Sequence, residues 1–341
     1  MPKAERSVLH VLPHGGGGGE TYVDVLSAMP GYRFTRVELA PRRKSGPLEV
    51  VGGLTDLAGA IHGHDLLHVH GEGAAGLLLP LLALRPAVVT LHGLHLLRRA
   101  TGFRRRAAEL NLQAVVRAAD RTICVSNAEH EALTAVVGQG HRTVVVHNGA
   151  RVPPQASGAV RLSVRAELGL AASDVVGIWV GSLDERRDPL VVVRAAERAS
   201  ATVIFVGDGP LRSDVERAAT TRIRVLGQRG DVPRLLGAAD FFVLMSHREG
   251  FSFAVLEAMA HGLPAVVADV PENIEAIGDA GMAVRYGDEE ELVAALRRLA
   301  DDEPQRAELG DQARRRVADL FSAENMVART RAVYDDVIPE R

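Results

Sequence analysis

What most restricts this chain is an alternation of short β-branched runs with longer amphipathic stretches, the pattern of repeated βα units that build a parallel sheet. In the first half, strands are predicted at Val8–Leu12, Phe34–Leu39, Leu66–His70, Val88–His92, Thr122–Ser126 and Thr143–His147. Helices are predicted between them at Glu20–Ala28, Thr55–Ile61, Ala74–Leu84, Phe103–Ala119 and Ala128–Val137, bounded by Gly, Pro, Asn or Asp. Ala150 to Val160 holds two prolines, one glycine and few large apolar residues, and reads as a linker. The pattern then restarts, with strands at Val175–Val180, Thr202–Val206, Ile223–Leu226, Phe241–Met245 and Ala265–Ala268. Helices are expected at Pro189–Ala199, Leu211–Ala219, Val232–Ala238, Ala254–Ala260, Glu289–Asp301, Pro304–Leu320 and Ala323–Val337. A chain of 341 residues exceeds what one core usually serves. The expectation is α/β: two Rossmann-like, doubly wound domains, 1–150 and 151–320, followed by a helical segment 321–341.

Composition narrows the function classes. With 47% hydrophobic residues, 24% charged residues and a net charge of -3, the chain has the make-up of a soluble globular protein with no overall pull on nucleic acid. Lysine occurs only at Lys3 and Lys44, an arginine bias that reads more readily as coding bias than as selection for guanidinium chemistry. The single cysteine, Cys124, lies in an apolar run, so no disulfide framework or thiolate metal site is expected, and a reducing, cytoplasmic compartment fits. The run from Arg6 to Pro13 is too short for a signal peptide's apolar region, and Ala74 to Leu84, interrupted by Pro80, is too short to span a bilayer.

Two tandem domains of this kind are expected to face a central cleft lined by the carboxyl ends of their strands, where open α/β sheets bind ligands. The most informative segment is Arg248-Glu249-Gly250-Phe251-Ser252-Phe253-Ala254-Val255-Leu256-Glu257-Ala258-Met259-Ala260-His261-Gly262-Leu263-Pro264. A strand, a glycine turn and a helix start follow one another there, leaving the N–H groups of about Phe251 to Ala254 free to hold an anion. Glu249 precedes the helix, and Glu257 sits about a turn inside it. This arrangement resembles the retaining glycosyltransferases of family four (glycosyl transferases group 1), whose hallmark is a glutamate pair in a stretch reading Glu-Gly-Phe…Glu-Ala-Met-Ala-x-Gly-x-Pro. The resemblance implies the GT-B fold. It implies that Glu249 contacts the donor sugar, that Glu257 binds the ribose hydroxyls, and that Phe251, Ser252, Phe253 and Ala254 hold sugar and phosphate through their amides.

Other segments extend the resemblance over nearly the whole chain. Gly15 to Gly19, directly after the first strand, match the family's glycine loop, with Gly16 and Gly17 placed to let backbone approach the donor phosphate or the acceptor. A dinucleotide turn is the competing reading of that loop, with Glu38 as its acidic partner. His92, in Thr90-Leu91-His92-Gly93, matches a family histidine that hydrogen-bonds the transferred sugar. His68 and His70 could form a metal-binding pair with Glu72, or line the cleft, or pack. In Gly181-Ser182-Leu183-Asp184-Glu185-Arg186-Arg187-Asp188, Ser182 stands where the family commonly has Arg and Arg187 where it has Lys, so Arg187 with Arg186 beside it is implied as the diphosphate clamp. Leu226 and Gly227 fall where the resemblance places the nucleotide base, and Asn273-Ile274-Glu275 match a further position. The last helix is implied to return to the first domain.

The resemblance thus implies a retaining, metal-independent transferase using a nucleotide sugar, with a UDP-sugar favoured and a GDP-sugar as alternative, and no cofactor beyond that co-substrate. No Asp-x-Asp pair presents a metal to a diphosphate. A nucleotide-sugar epimerase or phosphorylase on the same fold, a dehydrogenase and a non-catalytic sugar-binding module are the rival classes. The acceptor, whether small molecule, glycan or lipid, is not encoded by any motif. Residues 96–106, basic with interleaved apolar side chains, are either a solvated helix face or a weak contact with the inner face of a membrane.

Overall fold

A computed structural model describes residues 5–40, 47–140, 142–155 and 157–339. Lys3, Lys44, the opening Met1 to Ala4 and Ala156 of the expected linker lie outside the described residues. Contacts divide the chain into Met1–Gly149 with Ala323–Arg341, and Ala150–Ser322.

The first unit is built on β1 (Arg6–Leu12), β2 (Tyr32–Glu38), β3 (Leu66–His70), β4 (Ala87–Thr90), β5 (Arg121–Cys124) and β6 (Thr143–Val145). They form one parallel sheet in the order β2-β1-β3-β4-β5-β6. Every residue of β3 and β4 is buried, as expected of parallel strands covered on both faces. The direction of winding reverses between β1 and β3, which makes the carboxyl ends of those two strands the topological switch point. The helix Ala323–Val337 belongs to this unit. Its Tyr334 is fully buried with its hydroxyl 2.6 Å from His68 Nδ1, and its Asp335 accepts a hydrogen bond from Tyr32 at 2.7 Å.

The second unit carries β7 (Val176–Val180), β8 (Thr202–Val206), β9 (Ile223–Gly227), β10 (Phe241–Leu244), β11 (Ala265–Ala268) and β12 (Gly281–Val284), ordered β12-β11-β10-β7-β8-β9. Counted within the unit this is the Rossmann order, with the switch point between β7 and β10. The helix Pro189–Ala199 shows how local chemistry sets a boundary. Asp188 accepts the Val191 N–H at 3.4 Å, and Pro189, which has no N–H to leave unpaired, takes the first helical position.

Several expectations are corrected. A helix starts at Gly158, capped by Ser157, inside the segment read as linker. The helix expected over Ala74–Leu84 is two, Glu72–Leu77 and Leu79–Leu84, broken at Leu78 because Pro80 cannot bond back to the preceding turn. β4 stops at Thr90 rather than His92, since His92, Gly93 and Leu94 take φ of 62°, 117° and 48°. The helix expected near Asn273 runs Pro271–Ile277, His95–Arg99 forms a short helix of its own ahead of Gly102, and the strand β12 adds to the expected elements. No described helix is long and apolar enough to cross a membrane.

Candidate active site

At the switch point of the second unit, two loops meet, one leaving β7 and one leaving β10. Arg186 Nη1 donates to Glu249 Oε1 at 3.0 Å and to the Arg248 carbonyl at 2.9 Å, while the His247 N–H donates back to the Arg186 carbonyl at 3.1 Å. Arg187 Nε lies 3.4 Å from the same Glu249 oxygen, an ion pair without hydrogen-bond geometry. The Arg187 guanidinium lies where a Cβ on Gly181 would be, so the backbone of the β7 loop must be bare for the side chain to lie across it. Burial pulls the Arg187 pKa down and Glu249 pushes it back up. Arg186 and Arg187 thus share the one carboxylate of Glu249 in a mostly buried locus, an arrangement suited to an anion.

The helix after Glu249 runs Phe253–Ala260 with Ser252 at its N-cap, and its first backbone bond is Leu256 N–H to Ser252 O. The N–H groups without an intrahelical partner are therefore those of Ser252, Phe253, Ala254 and Val255, one residue later than expected. Phe251 stands outside the helix, and its ring is buried edge-on against Phe321 at 5.0 Å, a packing position. Glu257 is half-buried, and among the described residues its carboxylate has no hydrogen-bond or ion-pair partner. Burial raises its pKa to about 7.

Leu226 and Gly227 close β9, Leu226 half-buried and the Gly227 carbonyl accepting the Gly207 N–H at 2.8 Å. Asn273 is buried and donates to the Ala268 carbonyl at 3.0 Å, which makes it a brace between β11 and the following helix.

The first unit holds the remaining candidates. Gly16 and Gly17 take φ of 80° and 81°, a conformation that disfavours side chains, but the Gly16 N–H is already bonded to Glu20 at 2.9 Å and Gly17 serves as the N-cap of the helix Gly18–Leu26. His92 begins three consecutive left-handed residues. The turn is held by buried Glu129, which accepts the Gly93 N–H and, at 2.7 Å, the Val125 N–H, and by fully buried Leu94. His92 is half-buried, with its pKa lowered to about 3 by desolvation, so it is a neutral imidazole at physiological pH.

Behind His92 lie three histidines, all fully buried. His10 Nδ1 is 2.8 Å from His70 Nε2, and His70 Nδ1 is 2.9 Å from His92 Nε2. His68, read with His70 as a cleft or metal pair, packs: its nitrogens bond the Tyr334 hydroxyl at 2.6 Å and Thr90 Oγ1 at 2.7 Å. Ring nitrogens of His10, His68 and His70 lie within 4.8 Å of one another, close enough for a metal ion. Both His68 nitrogens and the facing nitrogens of His10 and His70 are already committed to hydrogen bonds, which is the chemistry of a polar network rather than of an open ligand set. Glu72 turns instead to the Leu97 N–H at 3.2 Å.

His10, Glu129 and Tyr22, whose ring stands edge-on to His92 at 5.1 Å, escaped the sequence reading. The available signal was a histidine inside the apolar run Val8-Leu9-His10-Val11, a polar group that burial obliges to find a partner.

Two families match this chain: one described as Glycosyl transferases group 1, over residues 175–302, and one described as Glycosyltransferase Family 4, over residues 9–152. A UDP-Gal:alpha-D-GlcNAc-diphosphoundecaprenol alpha-1,3-galactosyltransferase of Escherichia coli is 26% identical over 299 residues, 81% of this chain and 76% of that protein. A D-inositol 3-phosphate glycosyltransferase of Salinispora arenicola is 30% identical over 311 residues, 81% of this chain and 69% of that protein. Among solved structures, Anabaena HepE in complex with UDP-glucose superposes with a TM-score of 0.80 at 20% identity, over 96% of this chain and 99% of that one. At that identity the likeness speaks for the fold.

Proposed function

Because the chain belongs to the glycosyl transferases of group 1 and has their GT-B fold of two Rossmann-like units, we propose that it moves a sugar from a nucleoside diphosphate onto an acceptor hydroxyl with retention of anomeric configuration. A UDP-sugar is the favoured donor and a GDP-sugar the alternative. The observation that carries this reading is the pairing of Arg186 and Arg187 with Glu249 at the β7/β10 switch point, beside the start of the helix Phe253–Ala260.

In this reading Arg187, with Arg186 as helper, takes the diphosphate, and the amides of Ser252 to Val255 add the positive end of a helix. Glu249 meets the hydroxyls of the transferred sugar, and Glu257 receives the ribose hydroxyls. Leu226 and Gly227 flank the base, and His92 bonds a sugar hydroxyl. The bond from C1 to the phosphate oxygen breaks as the acceptor oxygen bonds C1 from the same face. The acceptor's proton passes to the departing β-phosphate, whose charge the arginines and amides receive without a metal. No side chain is then required as general base.

The acceptor is proposed to be a small molecule, glycan or lipid hydroxyl, reached on the cytoplasmic side. The test begins with thermal shifts against UDP-, GDP- and TDP-sugars, since a ligand at 100 times its Kd stabilises by about 2.7 kcal/mol. The anomeric configuration of the transferred or hydrolysed sugar is then read by NMR. A protein stabilised by no sugar nucleotide would sink the reading, and an inverted product would sink its stereochemistry.

A further inference from the structure

The line His10–His70–His92 spans the switch point of the first unit. His10 lies on β1, His70 ends β3, and His92 follows β4. A neutral imidazole has one N–H and one lone pair, and a nitrogen-to-nitrogen hydrogen bond consumes one of each. His70 is bonded at both nitrogens, so it donates on one side and accepts on the other. The three protons must therefore all point the same way along the line. Burial supports neutrality throughout, lowering His10 and His92 to about 3 and His70 well below its ordinary value.

Only two arrangements satisfy this rule. In one, His10 and His70 donate from Nδ1 toward His92, whose own proton then sits on Nδ1. In the other, every bond is reversed and His10 carries a proton on Nε2. That atom is buried with no partner. Leaving a buried N–H unpaired costs more than leaving a lone pair unpaired, so the first arrangement is favoured. The far end of the line is the end that can meet a ligand: His92 is half-buried, and among the described residues nothing is bonded to its Nδ1. Its ring is aimed by the left-handed turn at His92, Gly93 and Leu94, a costly conformation that persists only where surroundings over-determine it. Here they do so through Glu129, Leu94 and the edge of Tyr22.

We propose that His10 and His70 are positioning residues that act through this line to fix the tautomer of His92, so that its Nδ1 offers a hydrogen-bond donor to a sugar oxygen. The inference rests on the reading of His92 as a sugar contact. It assigns to His10, deep in the sheet, control over the sense of a hydrogen bond made two rings away.

Protein labelled with 15N in its histidines tests this by long-range 1H–15N NMR, which reads each tautomer directly. Wild type should show His10, His70 and His92 all protonated at Nδ1. His10→Phe keeps a ring beside Phe34 but removes the first link, so His70 and His92 should become tautomeric mixtures. Transfer kcat should fall about tenfold, one hydrogen bond's worth of orientation, with UDP affinity unchanged. His92 protonated at Nε2 in wild type, or a His92 tautomer untouched by His10→Phe, overturns the proposal; should the variant not fold, the wild-type spectrum alone decides. Adding a UDP-sugar separates the two layers. Nδ1 tautomers with His92 signals that ignore the donor would overturn the sugar contact beneath the proposal. Signals that respond to the donor without a fixed tautomer would overturn the line itself.

Discussion

A single nitrogen of Arg186 donates both to Glu249 Oε1, at 3.0 Å, and to the Arg248 carbonyl, at 2.9 Å, so one guanidinium fixes the carboxylate and the peptide that leads to it. Arg186 is therefore expected to act chiefly through Glu249. Arg186→Ala should lower transfer about 10- to 100-fold while changing UDP affinity by only about threefold, because one charge-assisted bond to the carboxylate is lost. Steady-state kinetics beside calorimetry would check this, and an equal loss in both would make the diphosphate, rather than Glu249, the main partner of Arg186.

Arg187 is the complementary case. Its Nε pairs loosely with Glu249 at 3.4 Å, and its guanidinium crosses the bare backbone of Gly181, next to Ser182. Arg187→Ala should weaken UDP and donor binding together by about 1.5–3 kcal/mol, leaving uridine affinity nearly unchanged. Unchanged UDP affinity by calorimetry would remove Arg187 from the diphosphate.

Glu257 should make nucleotide binding pH-dependent. Its carboxyl, raised to about 7 by burial, is partly protonated near neutrality, whereas accepting two ribose hydroxyls favours the ionised form. Affinity for UDP should rise as pH increases toward about 7 and then level, with proton release on binding below that point. Glu257→Gln should bind more weakly and abolish the slope; calorimetry in buffers of different ionisation heat reads both.

Glu72 and Glu129 have carboxyls raised to about 7 by burial. The folded chain thus keeps protons that the unfolded chain releases, so their contribution to stability is full below about pH 4.5, is lost as pH rises to about 7, and levels above. Thermal melts between pH 5 and 8 should show Tm falling across that window. Glu129→Gln should melt lower at pH 5, having one acceptor for the two N–H groups of Gly93 and Val125, but with a shallower pH slope.

Residues 96–106 form the helix His95–Arg99, a break, and the first turns of the helix Gly102–Ala118, with Phe103 86% exposed and Leu96 49% exposed. Arg105 and Arg106 lean on Glu109 at 3.1 and 3.3 Å, which tempers their pull on anionic lipid. If the acceptor is lipid, the protein should co-sediment with anionic vesicles at low salt, and Arg104→Glu should weaken this by at least about 1 kcal/mol. Absence of co-sedimentation would dispose of the membrane contact.

The sequence is most legible where one local force dominates. β8 and the helix Pro189–Ala199 fall on their predicted bounds, since a buried apolar run and an Asp-Pro start leave little choice. β12, Gly-Met-Ala-Val, gives little strand signal because only Val284 is β-branched. The helix at Gly158 was obscured by Pro153 and Pro154, which describe only the approach to it. Glu249, Arg186 and Arg187 could be named from motifs, but their joining follows from β7 lying beside β10, a neighbour relation that no local pattern carries. For the same reason the partner of His10 is not legible locally: it is set by β1 pairing with β3 across some sixty residues of chain.

The first unit contains the chain's beginning and its last helix, with the whole of Ala150–Ser322 between them. On a ribosome, segments emerge in sequence order and domains tend to close as they appear. Here the earlier-made sheet must wait. Until Tyr334 emerges, His68 lacks its hydroxyl partner and Tyr22 lacks Thr330, so the second unit can complete its core before the first is sealed. Synthesis order and completion order are thus reversed, and a chain truncated just short of Ala323 should carry a finished second unit and an open first one that proteases still recognise.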